Sequence, residues 1–343
     1  MPRERFLVFG SPLIEQPEID EVVDCLRSGW IGTGPRVTRF EEQFREYIGA
    51  DHGVAMNSCT AALHLSLLAL GVGPGDEVIV PSMTFVATSN AVVHAGVTPV
   101  LVDCDRRSMN VDPETIETEW KGRHAGTFGE IGCFSFYVTK NVVTGEGRMA
   151  ITSRRDLADQ MRTLALHGMT KNAWRRFSDK GYVHYDVVAA GFKYNMMDIQ
   201  AALGLHQLKR LDGFIAERGR LAARYDEAFR GVSGLILPAR VPYPARHAWH
   251  LYTPLVDIDR LTISRDRFMA ELKAKNIGTG LHYTAAHEFS YYAGRFGWKP
   301  EDYPEAHFVS ERIVSLPLFP GLSDADQDDA IAAVREVLAE RAR

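Results

Sequence analysis

Between residues 53 and 138 the chain alternates short apolar, β-rich runs with helices. Gly53 to Met56 reads as a strand, and Ala61 to Leu70 as an apolar helix closed by Gly71. After the Gly75-Asp76 turn, Val78 to Pro81 reads as a short buried strand. Val86 to Ala95 is a helix stopped by Gly96, and Pro99 to Val102 is the next strand. Gly132 to Val138 is a further strand, followed by the Gly145-Glu146-Gly147 turn. Such alternation demands an α/β fold, with a mostly parallel central sheet and helices on both faces.

A length of 343 residues suits about two domains. Upstream of the alternation, Glu18 to Leu26 places Ile19, Val22, Val23 and Leu26 at helical spacing. A Gly-rich loop, Gly29 to Pro35, leads into a second amphipathic helix from about Val37 to Ile48. Met197 to Leu211 is strongly helical, and the pattern continues with interruptions to about Phe229. The texture then changes. Leu251 to Val256 reads as a strand, Arg265 to Lys273 as a helix and Leu281 to Tyr283 as a short strand. Asp324 to Glu340 is a terminal helix with Ser323 as N-cap. These signals predict a large domain over 1–230 and a smaller α+β domain over 231–343.

The hydrophobic fraction of 45% and the charged fraction of 24% are ordinary for a globular protein. A net charge of −5, with no Lys/Arg block, argues against nucleic acid or an anionic membrane as the main partner. No apolar run reaches the ~18 residues of a membrane helix, and the N-terminus has no signal-peptide pattern. Cys25, Cys59, Cys104 and Cys133 are scattered, without CxxC or metal-binding spacing, as expected of reduced thiols in a cytoplasmic protein.

Three segments carry candidate chemistry. Asn57-Ser58-Cys59-Thr60-Ala61-Ala62 lies between a strand and an apolar helix. A helix start offers free N–H groups and a positive dipole end, which suit a phosphate; the plainer reading is that Asn57 or Ser58 caps the helix. The second segment, Phe134-Ser135-Phe136-Tyr137-Val138-Thr139-Lys140-Asn141, puts a lysine at the end of an apolar strand before a Gly-rich turn. Most lysines sit on solvated faces. Partial desolvation here would lower the amine's pKa and make it nucleophilic. The third segment runs from Gly191 to Gly204. Its Ala201, Ala202 and Gly204 read more simply as close helix packing than as function.

Taken together and in this order, the segments resemble the DegT/DnrJ/StrS family of sugar aminotransferases, within the fold-type I pyridoxal-phosphate (PLP) enzymes. Further matches are Gly29 to Pro35, Pro81 to Thr88, Leu166-His167-Gly168, His250-Leu251-Tyr252 and Ser315 to Leu318. The resemblance implies that Ser58, Thr60 and Ala61, with Ser135, bind the cofactor phosphate, and that Phe85 stacks on the pyridine ring. It implies that Lys140 holds the cofactor covalently and carries the substrate proton. Thr33, His282 and Tyr283 would flank the sugar. Asn195 would reach the neighbouring subunit's cofactor phosphate, so the active sites would be shared in a homodimer. The implied reaction moves an amino group from glutamate to a nucleotide-linked keto-sugar, for amino-sugar or polysaccharide biosynthesis. A related branch makes sugar dehydratases with histidine at the lysine position; Lys140 argues for transamination.

The sequence departs from the family pattern in two places. Family members carry a further segment between Glu117 and Trp120, and roughly forty residues are missing here, more than one βαβ unit. That segment ends in an Asp-Ala-Ala-type motif whose aspartate pairs with the pyridinium nitrogen and keeps the ring an electron sink. Asp103 and Asp105 end a nearby strand but match no equivalent motif. The alternative expectation is therefore a truncated relative with weak or no activity. The second departure is Arg148, where the family usually has a third glycine.

Overall fold

The structure is a computed structural model that describes residues 3–110, 126–170, 185–240 and 246–343. The junction between Glu117 and Trp120 lies outside the described residues.

The alternating runs form helices and strands close to their expected bounds: β1 (His52–Met56), α3 (Cys59–Ala69), β2 (Glu77–Pro81), α4 (Ala87–His94) and β3 (Thr98–Val102). β4 spans only Gly132–Ser135, shorter than the expected strand to Val138. The chain leaves the ladder there because a turn closes on Lys140, whose N–H donates to the Tyr137 carbonyl at 2.8 Å. β5 (Arg148–Thr152) runs back from the Gly-rich turn and lies between β1 and β4, antiparallel to both. β1 and β4 therefore run in the same direction. β2 and β3 pair in parallel. Helices α3 and α5 (Arg155–Ala165) cover one face of the β1-β5-β4 sheet, around Val54, Met56, Leu65, Ala150 and Met161. The other face packs on α2 (Pro35–Ile48) and the first half of α6 (Asp198–Phe229).

α6 is unbroken over 32 residues despite three internal glycines. Packing decides this over propensity. A Cβ at Gly204 would lie 2.7 Å from the Phe40 ring, so glycine is what lets α2 approach α6. Upstream, α1 (Gln16–Arg27) is pinned to α6 through the fully buried Glu18, which accepts from Arg210 and Gln207.

The second half of α6 belongs to a different core. Leu221, Ala222, Tyr225 and Phe229 pack with Tyr252, Phe268, Leu272, Val334 and Val337. That cluster holds β6 (Leu235–Ile236), β7 (Leu255–Val256), α7 (Arg265–Ala274) and α10 (Asp324–Arg341). Ser323 caps α10, accepting from Asp326 N–H at 3.1 Å. Leu281 to Tyr283 is not a strand, and the expected strand from Leu251 shrinks to two residues. The reason is that residues 313–316 are shared out, bridging singly to Leu255, Tyr252 and Gly280 rather than building one ladder. Two short helices that the sequence reading did not separate, α8 (Ser290–Phe296) and α9 (Pro304–Ser310), complete this part.

Candidate active site

Lys140 sits on the connection between β4 and β5. Gly145 and Gly147 turn the chain back with φ of 78° and 155°. At Gly147 a Cβ would fall 2.2 Å from Thr144 Oγ1 and 2.5 Å from a Met196 methyl, so only glycine closes this turn. Thr144 Oγ1 and Gln200 Nε2 both donate to the Glu146 carbonyl at 2.8 Å, and Asn141 Nδ2 donates to the Ala248 carbonyl at 2.7 Å. The lysine's backbone is thus fixed on both sides.

The amine of Lys140 lies 3.1 Å from Nε2 of His250. Burial, reinforced by the charge of Arg148, lowers the Lys140 pKa to about 8. Burial, then Lys140, pushes His250 far below the ordinary histidine range, so its ring is neutral and accepts from the amine. Arg218, only 2% exposed, anchors the segment behind the imidazole: its guanidinium donates to the carbonyls of Trp249 (3.3 Å), His250 (2.9 Å) and Leu318 (2.9 Å).

Two expected substrate residues come to the same place. His282 feels the Lys140 charge, and its Nδ1 shares a 2.7 Å hydrogen bond with Ser315 Oγ. Burial, then Lys140, lowers its pKa to about 4, leaving it neutral at pH 7. The Tyr283 ring lies 5.3 Å from that of Phe85, which is 54% exposed and free to meet a planar ligand. At the opening of α3, Ser58 Oγ accepts from Ala61 N–H at 3.2 Å. The capping reading of this motif therefore holds, and the Cys59 and Thr60 N–H groups remain at an open first turn. Cys59 senses the charges of both Lys140 and Arg148, which places the helix start beside the lysine. Ser135 stands directly opposite Arg148 in the β4–β5 ladder.

Thr33 and Asn195 are brought together with each other. Asn195 Nδ2 donates to Thr33 Oγ1 at 2.5 Å, and Thr33 donates to the Met196 carbonyl at 2.5 Å. Both line a separate cavity of about 570 Å³ against α2. The Thr33 loop is held by Asp198, whose carboxylate accepts from the N–H groups of Gly34, Arg36 and Val37.

Neither acid considered as a substitute for the missing aspartate is free. Asp103 accepts from the N–H groups of Cys104, Glu305 and Ala306, tying down the start of α9. Asp105 is occupied by the N–H groups of Arg107 and Ser108. Among the described residues, no carboxylate contributes to the Lys140 environment. Sequence reasoning gave no role to His250 or Arg218; the His250-Leu251-Tyr252 match was the available signal for the first.

The DegT/DnrJ/EryC1/StrS aminotransferase family matches residues 12–119 and 116–335. The chain belongs to this family. It is 43% identical to the spore coat polysaccharide biosynthesis protein SpsC of Bacillus subtilis, over 382 aligned positions covering 98% of each chain. Among solved structures, Spr1654 of Streptococcus pneumoniae, assigned as a sugar aminotransferase, is similar with TM-score 0.87 at 30% identity and 98% coverage of both chains in its PMP form. Its PLP form matches equally well in fold, with TM-score 0.87 at 29% identity. The aminotransferase TlmJ of Streptoalloteichus hindustanus gives TM-score 0.86 at 29% identity, covering 98% of this chain and 99% of that one. This DegT-family chain is thus a PLP-dependent aminotransferase of the sugar aminotransferase class, on the fold-type I scaffold. Among the described residues no helix is long and apolar enough to cross a membrane.

Proposed function

We propose that the enzyme transfers an amino group from glutamate to a nucleotide-linked keto-sugar in the cytoplasm, with Lys140 as the residue that anchors PLP. The observation that carries this reading is the buried Lys140 amine, 3.1 Å from a neutral imidazole and lowered to about 8. An amine so placed offers far more of its uncharged, nucleophilic form near neutral pH than the ~10.4 of a free lysine allows. The polysaccharide role of SpsC supports the biosynthetic setting.

The residues present fit the cofactor at two of its three ends. The open first turn of α3, with Ser58, Thr60 and Ala61 and with Ser135 across from it, suits the phosphate. The Lys140 amine suits the aldehyde. Phe85 would cover one ring face, and Thr33, His282 and Tyr283 would border the sugar. When bound, the cofactor supplies an electron-withdrawing ring that stabilises negative charge at the carbon losing its proton. The protein's own part is to hold the amine still, keep water from it and return the proton. His250 orients Nζ and, being neutral, adds no charge to compete with it. Asn195, bonded to Thr33 within its own chain, is assigned to a shared site in a homodimer. The change of core along α6, between Ile215 and Leu221, supports a domain division inside the helix, upstream of the expected boundary at residue 230.

A second reading, a weakly active relative lacking the ring-nitrogen carboxylate, is favoured by several observations. The two family matches meet at residues 116–119, and the 382-position alignment to SpsC exceeds the 343 residues of the chain. Among the described residues β2 pairs only with β3 and β4 only with β5, and Ile79 in β2 is 64% exposed. An apolar strand left open in this way is what removal of neighbouring strands would leave.

The test is spectroscopic. Protein reconstituted with PLP should absorb in the visible, lose that band on addition of glutamate, and regain it with keto-sugar nucleotides far better than with free keto acids. A band that glutamate leaves untouched would favour the second reading.

A further inference from the structure

Arg148 has no counterpart in the family pattern, and its surroundings ask for a ligand. It is the first residue of β5 and stands opposite Met56 of β1 on one side and Ser135 of β4 on the other. Residues directly opposite in an antiparallel ladder point to the same face. Arg148 therefore shares a face with Ser135. Its Nε and Nη1 are buried and have no hydrogen-bond partner. The groups that sense its charge include Cys59 at the start of α3, Lys140, His250 and Tyr283. The acid that it senses, Glu146, is exposed on the Gly-rich turn.

A guanidinium cannot discard its proton at working pH, so burial leaves a charge that requires an anion. Its planar fork matches phosphate with two parallel N–H···O bonds. The α3 N-terminus contributes N–H groups and a positive dipole end to the same space. A buried guanidinium and a helix start, with no buried acid beside them among the described residues, make a site for a phosphate anion.

We propose that Arg148 binds the phosphate of the cofactor, adding a charged ligand on the β5 side to the neutral donors of α3 and Ser135. The inference rests on the reading that the cofactor occupies the space beside Lys140. It makes cofactor retention in this chain depend on the phosphate more strongly than the uncharged donors alone would. Arg148 is a positioning residue in this account, acting on the end of the cofactor away from the chemistry.

The test compares PLP with pyridoxal, which has the same ring and aldehyde but no phosphate. The full-length protein is stripped of cofactor and titrated with each as wild type, Arg148→Gly and Arg148→Lys, with thermal unfolding to check folding. Arg148→Gly is expected to weaken PLP binding about 10- to 100-fold, the range of charge-assisted hydrogen bonds, and to leave pyridoxal binding within about twofold. Arg148→Lys is expected to recover part of the loss, since it restores the charge without the fork. Inorganic phosphate should compete with PLP in wild type and more weakly in Arg148→Gly. Equal loss for PLP and pyridoxal, or no loss for either, would overturn the proposal. So would a variant that keeps its PLP affinity and loses only glutamate affinity, since Arg148 would then serve a substrate carboxylate. The same titrations in a Lys140→Ala background separate the two assignments. If cofactor is still fixed covalently there, the lysine assignment fails, while the phosphate dependence still reports on Arg148.

Discussion

The Lys140 amine and the Nε2 atom of His250, 110 residues apart in sequence, lie 3.1 Å apart. Burial drives both toward the neutral form, and the Lys140 charge lowers the imidazole's affinity for a proton further. One consequence is that loading of PLP onto the stripped protein should accelerate as pH rises through about 8, where Lys140 loses its proton, rather than near the ~10.4 of a free lysine. Replacing His250 by alanine opens the pocket to water, so the midpoint should move upward. Stopped-flow loading rates across pH 6 to 10 are the check; an unchanged midpoint in the variant would detach His250 from the lysine.

The same shift affects stability. The folded state holds Lys140 less protonated than the unfolded chain between about pH 8 and ~10.4, so the wild-type chain gains stability as pH rises through that window. Below it, both states are protonated and the folded state bears the cost of a buried charge. Lys140→Met should therefore stabilise the cofactor-free protein at pH 7, by on the order of 2 kcal/mol after allowance for partial exposure. The advantage should shrink toward pH 10. Denaturant unfolding of the two proteins at several pH values measures it.

Arg218 holds three carbonyls around His250 and Leu318. Arg218→Met removes those bonds and leaves buried acceptors unpaired, at a cost of about 2–4 kcal/mol. The pH dependence of loading should also shift toward that of the His250 variant, because the imidazole is no longer held. A loss of stability with an unmoved loading profile would make Arg218 purely structural.

Asn195 is bonded to Thr33 and Lys193. In a dimer with shared sites, Asn195→Ala should release cofactor faster on dilution while the unfolding midpoint changes little. Sedimentation and cofactor retention, followed together, check this. A monomer that keeps PLP normally at low concentration contradicts the shared site.

Among the described residues β2 pairs only with β3 and β4 only with β5, which bears on the departure between Glu117 and Trp120. A version with a family-type segment restored there should be more stable and turn over faster by several powers of ten, since each ~1.4 kcal/mol of lost transition-state stabilisation costs tenfold. Because Asp103 and Asp105 are held by backbone N–H groups, neither is expected to make up the difference. Equal stability and turnover in the two versions would show the departure to be harmless.

Much of this was legible in the sequence because local rules agree with the fold. Gly71 and Gly96 follow closely on α3 and α4, and Ser323 caps α10, as their positions suggest. The apolar flank of Lys140 correctly marks a desolvated lysine. What stayed hidden depends on distant pairing. β5 carries Arg148 into the site only through its register with β1 and β4, and no local pattern states that register. His250 gains its meaning from a contact across 110 residues. Leu281 to Tyr283 has the composition of a strand, yet the segment it would pair with is divided among three neighbours.

The central claim is that Lys140 is the cofactor lysine. Borohydride reduction of the PLP-loaded protein, followed by proteolysis and mass mapping, tests it directly. The reduced cofactor is expected on the peptide containing Lys140 and on no other. Label on a different lysine, or none in a protein that visibly holds PLP, would contradict it.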